Sequence, residues 1–268
     1  MSKLDRAVIA KLARAAHAGL ISVAGAAEAL SLSRREAALK LATLARAGWL
    51  LRARQGLYLV LPLEADPGKP IIAEDPWVLA QEVFSPCYIG GWSAAEHWEL
   101  TEQLFRSTLV VTAASVRTRS LRLLGYEFYL FRVPRSRITG VVPVWRGAER
   151  VLVSDRERTL VDGLRHPELC GGIRHLAEIL REYGQSRDRS LEKLITVARE
   201  AGNGAVWKRL GYLAELLWPD ADALRTEAKN HLTMGYVKLD PDVRGRGRLV
   251  RRWRLWINVP VSRVAEAA

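Results

Sequence analysis

The chain has 268 residues, 49% of them hydrophobic, and a formal net charge of +12. That apolar content can fill one large core or two ordinary ones, and no apolar run reaches the length of about 18 residues that a membrane span needs. Two cysteines, Cys87 and Cys170, exclude a disulfide framework, and the start Met1-Ser2-Lys3-Leu4-Asp5-Arg6 lacks the apolar stretch of a signal peptide, so a cytoplasmic location is expected.

Leu4, Val8, Ile9, Leu12, Ala15 and Ala16 recur at helical spacing, which predicts a helix over Lys3–His17 stopped by Gly19. Ile21-Ser22-Val23 leads into a short Ala-rich helix from Ala24 to Leu30, and Ser31-Leu32 makes a turn. Ser33-Arg34-Arg35-Glu36 reads as a capping box, in which Ser33 and Glu36 each accept from the other's backbone amide. The helix that it opens runs to about Ala47 and ends at Gly48. Trp49 to Val60 then reads as two strands about a turn, a β-hairpin wing. Three helices and a hairpin predict a winged helix-turn-helix over residues 1–62.

Residues 63–70, within the stretch Pro62 to Pro70, have linker composition. Residues 71–268 predict a larger mixed α+β domain, so the fold class expected is α+β. Asp75-Pro76 starts a helix with a cap and a proline at its first position. Ser93-Ala94-Ala95-Glu96 and Ser154-Asp155-Arg156-Glu157 read as two more capping boxes, the second opening a helix to about Arg165. Strands are expected at Ser107–Thr112, Arg119–Leu123, Glu127–Val133 and Arg150–Val153. Helical patterns follow near Gly172–Tyr183, Leu191–Ala201, Val206–Leu217 and Ala221–Leu232. The chain closes on strands at Tyr236–Leu239 and Leu249–Val259, bridged by Arg-Gly repeats into a basic C-terminal hairpin.

The charge excess is confined to the two ends. Residues 1–62 carry a net +7 and residues 236–256 a net +5, while residues 63–235 balance to zero. Patches of this kind bind polyanions and release their counterions. With Leu41 facing inward on the third helix, Ala37, Ala38, Leu44 and Ala45 share its face, and Arg35, Leu39, Thr43 and Arg46 point away. Arg34 and Arg35 sit where the helix dipole disfavours cations, a placement that suits nearby phosphates or guanine edges. Thr43 can meet a base or a thymine methyl, and Lys40 and Arg46 suit phosphate contacts. Arg52, Arg54 and Gln55 lie at the wing tip. Ser33, Arg34, Arg35, Lys40, Thr43, Arg46, Arg52, Arg54 and Gln55 are therefore the N-terminal candidates for binding double-stranded DNA.

Three segments carry residue types capable of chemistry. Asp155, Glu157 and Asp162 resemble an acidic cluster, but a helix cap explains Ser154 and Glu157 without catalysis, and acids at a helix start suit its dipole. His166, Cys170 and His175 lack a fourth zinc ligand, and His175 fits a hydrogen-bonded core histidine. Gly90-Gly91-Trp92-Ser93 is not followed by the carboxylate pair that nucleotidyl transfer needs, and no phosphate-cradling Gly-x-x-x-x-Gly-Lys loop occurs. No catalytic residue, metal or cofactor is expected, and the chain is read as not an enzyme.

Several motifs resemble the AbiEi family of antitoxins from type IV toxin–antitoxin systems. They are Gly56-Leu57-Tyr58 with Pro62, Tyr88 to Trp98, Val151 to Leu164, Gly171-Gly172, Arg209 to Glu215, and Leu239-Asp240-Pro241 with Arg252 to Leu255. Their order spans nearly the whole chain. The resemblance implies a protein that represses its own operon by binding inverted repeats in the promoter and counteracts a cognate nucleotidyltransferase toxin. It also implies DNA contacts from the C-terminal basic patch, where Arg244, Arg246, Arg248, Arg251 and Arg252 are the candidates. On a continuous strand, Arg251, Trp253 and Leu255 would face one side and Arg252, Arg254 and Trp256 the other. The alternative is a winged-helix protein-interaction module that neutralises a partner protein directly, with non-specific DNA affinity.

Overall fold

A computed structural model describes residues 3–61, 75–116 and 118–262; the linker expected at residues 63–70 lies outside them. The fold is mixed α+β. Helix α1 (Lys3–Ala15) is followed by strand β1 (Leu20–Ser22), helices α2 (Val23–Leu30) and α3 (Arg34–Arg46), and the hairpin β2 (Leu50–Arg54) and β3 (Leu57–Val60). The three strands pair in the order β1-β3-β2, all antiparallel. This is a winged helix-turn-helix. Ile9, Leu12, Ile21, Ala26, Leu41, Leu44, Leu50 and Tyr58 fill its core.

Beyond it, α4 (Pro76–Phe84) is capped by Asp75, whose carboxylate accepts from the amides of Trp77 and Val78. Then come β4 (Cys87–Ile89), α5 (Gly91–His97), β5 (Ser107–Thr112), β6 (Ser120–Leu123), β7 (Tyr126–Arg132), β8 (Val141–Arg146) and β9 (Glu149–Ser154). These strands form one sheet in the order β6-β7-β5-β4-β9-β8, with β5 and β7 parallel and β4 and β9 parallel. The two-residue period of a strand divides the side chains cleanly. Cys87, Ile89, Val110, Phe128, Leu130, Val151 and Val153 face α4. Tyr88, Leu109, Val111, Tyr129, Phe131 and Leu152 face the opposite side, with Trp92 of α5.

The helical layer follows, with α6 (Arg156–Arg165), α7 (Ile173–Gln185), α8 (Leu191–Ala201), α9 (Gly204–Leu217) and α10 (Asp222–Asn230). Helix α7 buries Ile173, Leu176, Ala177, Leu180 and Tyr183, a stripe at helical spacing. Helix α9 is buried almost all round, from Val206 to Ala214, and is the axis of this layer. A small sheet seals it: β10 (Val237–Lys238), β11 (Arg248–Val250) and β12 (Leu255–Ile257), ordered β10-β12-β11. Gly211 lets Trp253 lie directly on α9, since a Cβ there would fall 2.1 Å from the indole ring. Buried Arg209 donates to the carbonyls of Leu164, Arg165, Lys238 and Leu239. It satisfies orphan acceptors at the end of α6 and ties them to β10.

Strand β3 is buried on both faces. Tyr58 and Val60 enter the helix-turn-helix core. Leu57, Leu59 and Leu61, with Leu20, pack instead against Val78, Leu79 and Val83 of α4. At the edge of this seam His17 pairs with Glu149 at 2.9 Å and Glu82 at 3.6 Å.

Three local expectations are corrected. Ser93 is not a cap: α5 begins at Gly91, and the Ser93 hydroxyl accepts from the amide of Leu109 on β5. The cap of α6 is Asp155, which accepts from the Arg158 amide at 2.8 Å, while Ser154 bonds to Thr159. The strand expected over Leu249–Val259 is broken by a 3-10 turn at Arg251–Trp253, and Arg254 adopts a left-handed conformation with φ 52°. The expected alternation of Arg251, Trp253 and Leu255 against Arg252, Arg254 and Trp256 therefore does not hold, because Arg251 is exposed while Trp253 and Leu255 are fully buried.

Candidate nucleic-acid interface

The surface is built outward from α3. Ser33 accepts from the Glu36 amide at 3.3 Å, and the Glu36 carboxylate accepts from the Ser33 amide at 2.9 Å, completing the capping box. The Ser33 hydroxyl, also bonded to Glu36, holds that carboxyl below the usual range. Ser33, placed among the DNA-contact candidates, is thus engaged in starting the helix. Ala37, Leu41 and Leu44 are buried, and each buried leucine contributes roughly 1.5–3 kcal/mol to fixing the helix against its core.

That anchoring decides what the other face presents. Arg34, Arg35, Leu39, Thr43 and Arg46 are exposed, and Lys40 is half-buried at the flank. Leu39, at 61% exposure, stands among the basic residues of the outward face. The Thr43 hydroxyl donates to the Leu39 carbonyl, and Arg46 folds back toward Ala42 and Thr43. Arg34 and Arg35 form no ion pair with any other described residue.

The wing adds a second basic group. Between β2 and β3 the turn passes through Gln55 and Gly56, the glycine at φ +78°, a conformation that side-chain-bearing residues rarely adopt. Gly56 also accepts from the Val23 amide, which fastens the wing tip to the start of α2. A bulge between Arg52 and Arg54 raises the local twist. Arg52, Arg54 and Gln55 are exposed, and neither arginine is paired with another described residue.

The C-terminal candidates are built on the helical layer, not on the winged-helix core. Arg244 and Arg246 are exposed on the loop entering β11, and Arg248 is exposed at the first position of that strand. Gly247 is required there, since a Cβ would fall 2.0 Å from the Ile257 carbonyl oxygen. The Arg246 guanidinium lies 5.7 Å from the Trp256 ring centre. Arg251 is exposed. Arg252 is different: it forms a two-pronged ion pair with Glu215, whose carboxylate also accepts from the Trp253 indole at 2.6 Å. Arg254, which faces the Thr233 carbonyl, is likewise engaged. The five candidates thus separate into Arg244, Arg246, Arg248 and Arg251, without ion-pair partners among the described residues, and Arg252, which is engaged by Glu215.

The acidic and histidine clusters are structural. Asp162 accepts from the Tyr88 hydroxyl and from Arg158; Glu157 accepts from the Tyr183 hydroxyl and pairs with Lys193. His175 lies between the Cys170 carbonyl and the Thr101 hydroxyl, both 2.7 Å away. No group of three or more metal-ligating side chains occurs among the described residues, and none of their helices is long and apolar enough to cross a membrane.

Residues 8–60 match the family model described as "Transcriptional regulator, AbiEi antitoxin". The match coincides with the winged helix; the resembling motifs of the second half lie outside it. The crystal structure of the RV2827C protein from Mycobacterium tuberculosis shares the fold, with a TM-score of 0.61 and 18% identity over 95% of this chain and 91% of that one. No curated protein matches the sequence.

Proposed function

We propose that the chain represses its own toxin–antitoxin operon by binding inverted repeats in its promoter, a reading that starts from the match of residues 8–60 to the AbiEi antitoxin family model of transcriptional regulators. One observation carries the reading. The exposed side of α3 and the wing tip present Arg34, Arg35, Arg52 and Arg54 without ion-pair partners among the described residues, on a helix whose other face is locked into a core. Unpaired arginines on a rigid helix suit phosphate and guanine contacts, because their forks are not already spent on carboxylates. Ser33 positions this helix, Arg35 and Thr43 face bases, and Lys40 and Arg46 face the backbone. Arg244, Arg246, Arg248 and Arg251 supply a second phosphate contact, and Arg252 braces the loop.

The same protein counteracts a nucleotidyltransferase toxin in the cytoplasm and is not itself an enzyme. A domain boundary between residues 62 and 71 separates DNA reading from the α+β part. The direct-neutralisation alternative draws on a different feature: Met234 and Tyr236, 88% and 53% exposed, stand beside the C-terminal sheet. Exposed apolar side chains of this size suit a protein partner.

The test is binding to the duplex upstream of its own gene beside a scrambled duplex, over a salt series. Preference for the upstream duplex supports autoregulation. Equal binding to both leaves only non-specific affinity and overturns the proposal.

A further inference from the structure

A third concentration of positive charge lies away from α3, in a cleft at the carboxyl ends of the parallel strands β5 and β7. The cavity measures about 280 Å³. Arg132, Arg137, Arg158 and Arg165 line it with His166, against one carboxylate, Asp162. That carboxylate is already engaged by Arg158 at 3.0 Å and Tyr88 at 2.7 Å. Arg158 is fully committed as well, to Asp162, Thr139 and the Arg137 carbonyl. These residues form a fixed floor.

The remaining arginines are not needed by the floor. Arg137 reaches the Ala201 carbonyl with one nitrogen at 3.0 Å. The guanidinium groups of Arg132 and Arg165 form no ion pair with any other described residue. Burial, and the neighbouring Arg137 guanidinium, hold Arg165 below the ordinary arginine range. Like charges converging in a concave site repel and destabilise the fold. Folding alone gives no reason to gather them. Beside them the rings of Phe131 and His166 lie 4.7 Å apart and inclined at 58°, next to Val133 and Leu169, with the His166 Nδ1 3.4 Å from the Glu168 carboxylate. Convergent cations beside aromatic rings are the features of a pocket for a small anion bearing a ring.

We infer that this cleft binds a small phosphorylated ligand, its phosphate held by Arg132, Arg137 and Arg165 and an attached ring resting on Phe131 and His166. Guanidinium forks match phosphate oxygens in pairs, and a phosphate carries the two negative charges that the cleft lacks. A nucleotide has both parts; inorganic pyrophosphate has only the first. The site is independent of the DNA reading and holds whether or not α3 recognises a promoter.

The test is isothermal titration of the full-length chain, without DNA, with pyrophosphate, AMP and ADP at low chloride. One saturable site is expected. Tighter binding of the nucleotides than of pyrophosphate is expected, and equal binding overturns the ring contact. Arg165→Gln should weaken binding by roughly ten- to a hundredfold, the loss of a charge-assisted hydrogen bond. Arg132→Gln, at an exposed position, should weaken it in the same direction and serves if the first variant misfolds. Arg187→Gln, outside the cleft, should bind like the parent. No saturable heat at millimolar ligand, or parent-like affinity in the folded Arg132 and Arg165 variants, overturns the inference. So does loss of duplex binding in Arg165→Gln when the parent binds none of the small ligands, which would assign the cleft to the DNA surface.

Discussion

Removing the wing arginines should change how DNA binding responds to salt, by an amount that follows from their exposure. Arg34, Arg35, Arg52 and Arg54 are exposed and form no ion pair with another described residue. Each cation that neutralises a phosphate contributes about −0.9 to the slope of log affinity against log salt. The double variant Arg52→Ala/Arg54→Ala should make the slope shallower by about 1.8, so that the loss of affinity between roughly 50 and 200 mM salt is about 12-fold smaller than in the parent. Fluorescence anisotropy with a labelled upstream duplex measures this directly. Both variant positions lie at a solvated turn, so the fold should be retained, which circular dichroism checks. The loss should be the same on scrambled DNA, since phosphates carry no sequence. An unchanged slope in a folded double variant would refute the placement of the wing against the backbone.

The other expectations concern base reading, the helix start and the C-terminal lock. Arg35→Ala should reduce discrimination between upstream and scrambled duplexes by about 1–3 kcal/mol if its fork reads a guanine; equal loss on both duplexes would make it a phosphate contact. Ser33→Ala should cost about 1 kcal/mol of stability by removing the capping box, seen as a lower urea midpoint, and an unchanged midpoint would show that the cap is redundant. Gly211→Ala should destabilise by about 1–3 kcal/mol because its methyl meets the Trp253 ring at 2.1 Å, and a parent-like melting temperature would contradict that packing. Glu215 is opposed by burial but held below the ordinary carboxylate value of 4.5 by Arg252 and Trp253. Its stabilisation is therefore complete above that value and lost as pH falls through the lowered one. Glu215→Gln should reduce stability at neutral pH by about 1 kcal/mol or less, given its solvent screening, and the difference should vanish in acid. A difference that persists at low pH would point to packing in place of charge.

The winged helix was legible because its signals are local. Ser33 and Glu36 are three residues apart, Leu41 and Leu44 repeat at helical spacing, and Gln55-Gly56 occupies the wing turn. The strands β5, β7 and β9 were legible because their two faces alternate between two different cores. Strand β4 was missed: it has three residues, all buried, and so offers no alternation. Strand β8 was missed because Pro143 interrupts it, which only an edge position tolerates, and β8 is the last strand of its sheet. Serine capping patterns misled twice where the serine hydroxyl is used in tertiary contacts, at Ser93 and Ser154. Arg252 read as part of a basic run because its partner, Glu215, lies 37 positions earlier in the chain. The arginine cleft was invisible for the same reason, since its four arginines come from a strand end, a 3-10 turn and a helix.

Strand β3 serves two cores at once, with Tyr58 and Val60 in one and Leu57 and Leu59 in the other. The reading head is thus not a bead on a string. Severing the chain near residue 62 would bare Leu20, Leu57, Leu59 and Leu61 to water, and the freed fragment would be sticky. A force applied to α4 is passed through those leucines to the wing. Whatever grips the larger part of the molecule therefore holds, by the same handle, the angle at which the wing meets its target.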